Sequence, residues 1–173
     1  QLKLVDSPAE ERRVHQVAIP RVGGLGIALS AAISVAYWSE PGRQAQALFL
    51  AGLLIVYFGY LDDRFGLRAR WKLLGQALAV GVAMAGGVLI TRVPLLGLDP
   101  AAWWLAYPLT ALFLLGAINA VNLSDGLDGL AAGTMLLSLA FIAIGALQAD
   151  LQWVALAALG VMGGLLGFLR FNT

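Results

Sequence analysis

Charged residues in this chain are confined to short intervals, and six stretches between them carry none: Val22–Ser39, Ala45–Leu61, Leu73–Thr91, Ala102–Val121, Leu130–Gln148 and Trp153–Leu169. At about 1.5 Å of rise per helical residue, each is long enough to cross a hydrocarbon core of about 30 Å. The runs lack the period-2 alternation of a membrane barrel, and a backbone in lipid must satisfy its own N–H and C=O groups, so helices are the expected form. The pattern predicts an all-α fold, a polytopic transmembrane helix bundle with six spans, forming a single integral membrane domain over residues 1–173.

Composition agrees with this reading. Of the 173 residues 60% are hydrophobic and 12% charged, against about 45–50% and about 25% in soluble domains. Disorder is excluded, because disordered segments are polar and charge-rich. The absence of cysteine excludes a disulfide framework, a cysteine-ligated zinc site and a thiol nucleophile. No charged-then-apolar leader is visible, and Gln1 reads as an internal start.

The charges matter through their distribution. With six crossings, the segments 1–21, 62–72, 122–129 and 170–173 share one face. That face holds Lys3, Arg12, Arg13, Arg21, Arg64, Arg68, Arg70, Lys72 and Arg170, leaving only Arg43 and Arg92 of the 11 basic residues opposite. The positive-inside rule makes it cytoplasmic, and Trp38, Trp103, Trp104 and Trp153 fall near span ends on the other side, as in an aromatic belt. Asp6, Glu10, Glu11, Asp62, Asp63, Asp125 and Asp128 also gather on the cytoplasmic face. Acids obey no topology rule, so their asymmetry asks for a functional reason.

Four constellations on that face carry candidate chemistry. Asp62-Asp63 directly follows an apolar run. Adjacent carboxylates repel, and a hard divalent cation such as Mg2+ relieves the repulsion by binding through one or two carboxylates plus substrate phosphates; the plain structural alternative is two solvated helix-end acids. In Asn119-Ala-Val-Asn122-Leu-Ser-Asp125-Gly126-Leu127-Asp128-Gly129-Leu130 a polar group recurs every three residues, which a continued helix would bring within mutual reach. A capped helix end would explain one acid and one glycine of this string, but not all of them. The N-terminal segment supplies Arg12, Arg13, His15 and Arg21, of which the arginines suit phosphate or anionic lipid. Arg68, Arg70 and Lys72 lead from the Asp-Asp segment toward Gln76, where phosphate binding and membrane anchoring explain the charge equally well.

Together these segments resemble the polyprenyl-phosphate N-acetylhexosamine-1-phosphate transferases, membrane enzymes that start lipid-linked cell-wall and O-antigen glycan synthesis in bacteria. The family's opening Asp-x-Pro, His and Pro-Arg-x-Gly-Gly look like Asp6, Pro8, His15, Pro20, Arg21, Gly23 and Gly24. Its Asp-Asp and Lys-Leu-x-x-Gln look like Asp62, Asp63, Lys72, Leu73 and Gln76, and its Asn-x-x-Asn-Leu-x-Asp-Gly-Leu-Asp-Gly-Leu is present in full from Asn119 to Leu130. Ile19-Pro20-Arg21 is closer to the undecaprenyl-phosphate GlcNAc-1-phosphate branch than to the muramoyl-pentapeptide branch, which typically has Thr-Pro-Thr. The family continues beyond Phe171-Asn172-Thr173 with a further acidic motif and a His-containing loop, so the expectation is a fragment lacking an N-terminal helix and the C-terminal part, inactive by itself.

The resemblance implies transfer of GlcNAc-1-phosphate from a UDP-N-acetylhexosamine to undecaprenyl phosphate, with release of UMP, at the cytoplasmic face of a bacterial inner membrane. It implies Asp62, Asp63 and Asp125 as catalytic residues, one of the first two acting as base, and Asp62, Asp63 and Asn122 as ligands of Mg2+, which Mn2+ could replace. Asn122 and Asp125 would face the diphosphate; Gly126, Leu127 and Asp128 would hold the uridine; His15, Arg21 and Lys72 would contact phosphates. The implied partners are the UDP-sugar, the lipid phosphate and the bilayer, with no nucleic acid and with a homodimer left open. The muramoyl-pentapeptide branch is the alternative within the family. A membrane CDP-alcohol phosphotransferase would need an Ala-Arg after Asp125-Gly126, a prenyltransferase would need acids four apart where Asp125 and Asp128 are three apart, and an ion-coupled transporter would need mid-span charges where the six spans carry none.

Overall fold

The computed structural model describes residues 23–38, 42–93, 97, 102–124 and 130–170. Its regular elements are six helices: α1 (Gly23–Trp38), α2 (Arg43–Phe65), α3 (Ala69–Ala85), α4 (Trp103–Ser124), α5 (Leu130–Gln148) and α6 (Gln152–Leu169). Four of them, α2, α4, α5 and α6, are long and apolar enough to cross a membrane. The helices α1 and α3 are shorter, at 16 and 17 residues.

Two boundaries differ from the charge-free runs. The run Leu73–Thr91 does not stay helical: α3 stops at Ala85, where Gly86 and Gly87 follow and Gly87 takes φ 95°, after which residues 88–93 lie outside any helix. Glycines disfavour a helix interior and the β-branched residues after them favour extended backbone. The charged interval 62–72, read as a loop, is mostly helix. α2 runs on through Phe65 and α3 starts at Ala69, so the connection is only residues 66–68. Gly66 ends α2 in the left-handed region at φ 62°, its N–H donating to Asp62 O at 2.7 Å, a common way to stop a helix with glycine.

Each helix touches its chain neighbour, and α1 closes on α6, so the six form a ring. The α1–α6, α2–α3 and α5–α6 seams are extensive, α3–α4 is intermediate, and α1–α2 and α4–α5 are narrow. The antiparallel α2–α3 hairpin is tied at its far end, where Arg43 Nη2 donates to Ala85 O (2.8 Å) and Gln44 Nε2 to Gly87 O (3.0 Å). These carbonyls lie at and just beyond the end of α3, which would otherwise leave them unpaired.

Small residues make the seams. Among the described residues the buried hydrophobic side chains are all alanine apart from Val80 and Leu165, whereas Leu29, Phe49, Leu112, Phe113 and Phe141 are exposed. Such an inside-out distribution suits lipid, which gives large apolar groups no reason to hide and rewards close backbone approach. On α6, Gly160 and Gly164 face Ser30 and Ser34 of α1, and Ser30 Oγ shares its proton between Gly160 O (2.9 Å) and Ile27 O (2.8 Å).

Candidate functional site

The up-and-down connectivity brings the end of α2, the start of α3 and the end of α4 to one end of the ring, together with the starts of α1 and α5 and the end of α6. All six helices contribute to a cavity of about 690 Å3 there. Ile27, Ile55, Phe58, Ile118, Met135 and Phe168 are among its apolar walls, and its polar groups are Asp62, Lys72, Gln76 and Asn122.

Asp62 sits in the last turn of α2, and each of its carboxylate oxygens has a partner. Oδ1 accepts the Leu67 N–H at 2.9 Å, and Oδ2 lies 2.6 Å from the Lys72 ammonium. The side chain thus fastens the three-residue turn through its main chain and binds the first turn of α3 through its charge. Both side chains remain partly accessible, 28% for Asp62 and 43% for Lys72, so a ligand entering the cavity can reach them. Asp63 is exposed and is not part of the cavity wall, because neighbours on a helix point about 100° apart. Asn122 lines the cavity from the last turn of α4.

Gln76 and Asn119 form a reciprocal carboxamide pair between α3 and α4. Asn119 Nδ2 donates to Gln76 Oε1 at 2.8 Å and to Leu115 O at 2.8 Å, and Gln76 Nε2 donates back to Asn119 Oδ1 at 3.4 Å. Both residues appear in the sequence motifs, yet motif reading assigns them no contact. The usable signal is spacing: Gln76 lies one helical turn beyond Lys72, and Asn119 one turn before Asn122. The apolar walls carry no sequence signal distinguishing them from lipid-facing residues of the same type.

Of the residues singled out from the sequence, the structure brings Asp62, Lys72 and Asn122 to one cavity and places Asp63 beside it. His15, Arg21, Asp125, Gly126, Leu127 and Asp128 lie outside the described residues. Among the described residues no group of three acids or histidines is gathered to hold a metal. Asp62, Asp63 and Asn122 offer oxygen donors only, a set that suits a hard cation taking few protein ligands and completing its shell with phosphate and water.

A bundle of apolar helices with acid, lysine and carboxamide groups converging at one end is the architecture of a multi-pass membrane protein. The chain belongs to glycosyl transferase family 4, whose model matches residues 45–173. It is 36% identical over 171 residues to a probable undecaprenyl-phosphate N-acetylglucosaminyl 1-phosphate transferase of Bacillus subtilis, covering 97% of this chain and 48% of that protein. It is 33% identical to the phospho-N-acetylmuramoyl-pentapeptide-transferase of Desulforudis audaxviator, covering 97% of this chain and 59% of the relative. To the enzyme of the same name from Latilactobacillus sakei it is 36% identical, over 88% of this chain and 53% of the relative. The chain therefore spans about half the length of the curated relatives it matches. No solved structure gives a significant match.

Proposed function

We propose that the complete protein transfers N-acetylhexosamine-1-phosphate from a UDP-sugar to undecaprenyl phosphate at the cytoplasmic membrane face, releasing UMP. The observation that carries this reading is the cavity itself, apolar over most of its wall and closed on one side by Asp62, Lys72 and Asn122. A prenyl phosphate has the same division, with an apolar tail and an anionic head. The clustering of basic residues on this side of the membrane supports the cytoplasmic assignment.

In the reaction an oxygen of the lipid phosphate attacks the phosphorus that bears the sugar. A new P–O–P bridge forms, the bond to the uridylyl phosphate breaks, and UMP departs with the bridging oxygen. Phosphoryl transfer of this kind depends on positioning and charge stabilisation. Lys72 binds a phosphate oxygen, exchanging its contact with Asp62 for one with substrate. Asp62 or Asp63 takes the proton of a protonated lipid phosphate. His15 and Arg21 add phosphate contacts, Asp125 acts beside Asn122 at the diphosphate, and Gly126, Leu127 and Asp128 hold the uridine, as the family resemblance implies. Mg2+, or Mn2+ in its place, is the proposed cofactor, with Asp62, Asp63 and Asn122 to hold it. When bound, such a cation offsets negative charge on the diphosphate as transfer proceeds.

The GlcNAc assignment is favoured by Ile19-Pro20-Arg21, and the muramoyl-pentapeptide substrate by relatives of equal identity. The test is UMP release by the complete protein in membranes, from UDP-GlcNAc and from UDP-MurNAc-pentapeptide, with undecaprenyl phosphate and Mg2+, beside Asp63→Asn. Lipid-dependent release lost in the variant supports the reading, and the productive donor decides the branch. No release from any UDP-sugar sinks it.

A further inference from the structure

Among the described residues two polar ties hold α4 to its neighbours, one in each half of the helix. At the end away from the cavity, Thr110 is buried and its Oγ1 accepts the N–H of Ile90, in the segment that follows α3, at 2.8 Å. At the cavity end the tie is the Gln76–Asn119 carboxamide pair. Apolar packing is distributed differently. The buried residues of α4 are Ala106 and Thr110, both in its first half, and the half carrying Asn119 and Asn122 has none. Its contact with α5 is narrow. Among the described residues, the Gln76–Asn119 pair is thus the polar tie that locates the cavity end of α4, where no side chain is buried.

What hangs on this tie is the separation of two cavity residues. Lys72 lies one turn before Gln76 on α3, and Asn122 lies one turn after Asn119 on α4. A reciprocal amide pair restricts both helix rotation and helix separation, because displacement along either axis breaks at least one of its hydrogen bonds. Both amides are part-buried between α3 and α4, where leaving either one unpaired is costly. We infer that Gln76 and Asn119 are positioning residues, a clamp that sets the cavity end of α4 against α3 and so fixes Asn122 relative to Lys72. The catalytic consequence rests on the function proposed above; the structural one does not. Gln76 also lines the cavity, and the role inferred for the pair is exerted through the two residues it spaces.

The test uses the complete protein in lipid nanodiscs. These 173 residues contain no cysteine; with any cysteine elsewhere in the complete protein replaced by serine, cysteines placed at Trp71 and Leu123, which are 48% and 84% exposed and lie next to Lys72 and Asn122, carry spin labels for a distance measurement. The parent gives one narrow distance distribution. Gln76→Leu and Asn119→Leu each broaden it, the double variant broadens it no further, and the exchange Gln76→Asn with Asn119→Gln restores much of the narrow peak. In unlabelled protein the single variants lower kcat about 10–100-fold, as a misplacement of about 1 Å can, while KM for the UDP-sugar moves less than about twofold. Should a leucine variant fail to fold, Gln76→Met and Asn119→Ala replace it. An unchanged distance distribution in the single variants overturns the clamp, as does strict additivity of their effects on kcat. A parent that turns over no UDP-sugar defeats the proposed function instead, and the distance measurement still decides the clamp.

Discussion

Lys72 Nζ lies 2.6 Å from Asp62 Oδ2, so the first turn of α3 is ion-paired to the last turn of α2 across a connection of residues 66–68. The same carboxylate accepts the Leu67 N–H through its other oxygen. A single acid thus shapes the turn and holds a cation at the wall of the cavity. The pair is partly exposed, which makes it a modest contributor to stability, roughly 0–1 kcal/mol. In the reaction proposed above, the pair is the group that meets phosphate at the cavity wall.

These two roles separate in Asp62→Asn. The amide can still accept the Leu67 N–H but cannot pair with Lys72 as an anion does. UMP release by the complete protein falls by about 100-fold or more, while the unfolding temperature in detergent moves by only a degree or two. Lys72→Met gives the same pattern. Near-normal turnover in either variant removes the pair from the reaction.

Gly66 is the only residue of the α2–α3 turn with positive φ, at 62°. A side chain there is strained whatever space surrounds it, and none of its neighbours lies within 4 Å of a built Cβ. Gly66→Ala costs about 1 kcal/mol, whereas Gly66→Asn costs less because asparagine tolerates the left-handed region. Thermal unfolding of the two variants in one detergent checks the order; equal loss would mean that the turn relaxes out of this conformation.

The α1–α6 seam makes a sharper contrast between adjacent glycines. A Cβ on Gly164 meets Ser30 Oγ and comes within 2.8 Å of Ile27 Cα, which is backbone, while one on Gly163 meets nothing within 4 Å. Gly164→Ala therefore destabilises by about 1–3 kcal/mol through overpacking, and Gly163→Ala is neutral or slightly stabilising through helix propensity. Comparing their unfolding temperatures tests whether α1 and α6 meet in this register.

Thr110 is 1% exposed and serves as both acceptor for Ile90 N–H and donor to Ala106 O. Thr110→Val keeps the shape and removes the hydroxyl, leaving a part-buried N–H unpaired at a cost of about 1–3 kcal/mol. Thr110→Ser retains the hydrogen bond and costs mainly the lost methyl. A valine variant as stable as the serine one would show that Ile90 finds another acceptor.

Much of the fold is legible in the sequence because the signal is coarse and strong. Charge-free runs define all six helices, and Leu130–Gln148 is found at the expected bounds. The misread boundaries sit where local chemistry overrides hydropathy: Gly86-Gly87 stops a helix that apolar residues would continue, and Asp62 to Phe65 extend one that charges would end. Within the site, Asp62, Lys72 and Asn122 are recognisable as polar groups at the margins of apolar runs. Asp62 and Lys72 meet across the α2–α3 turn, whereas Asn122 joins them only through the packing of α4 on α3, which no local pattern encodes. That Asp62 lines the cavity and Asp63 does not follows from helix geometry once α2 is known to include both. The Gln76–Asn119 contact joins residues 43 apart, beyond the reach of periodicity.

The closure of the ring also has an order in time. Ser30 and Gly160 are 130 positions apart, so the α1–α6 seam cannot exist until nearly the whole described chain has left the ribosome. Asp62 and Lys72 can meet as soon as the α2–α3 hairpin has entered the bilayer. At about 5–20 residues per second of synthesis, the interval between the two events is on the order of ten seconds. Through that interval the charged end of the hairpin is already formed while the cavity is still open to lipid along the side that α5 and α6 will occupy. Each new molecule forms the Asp62–Lys72 pair first and encloses it afterwards.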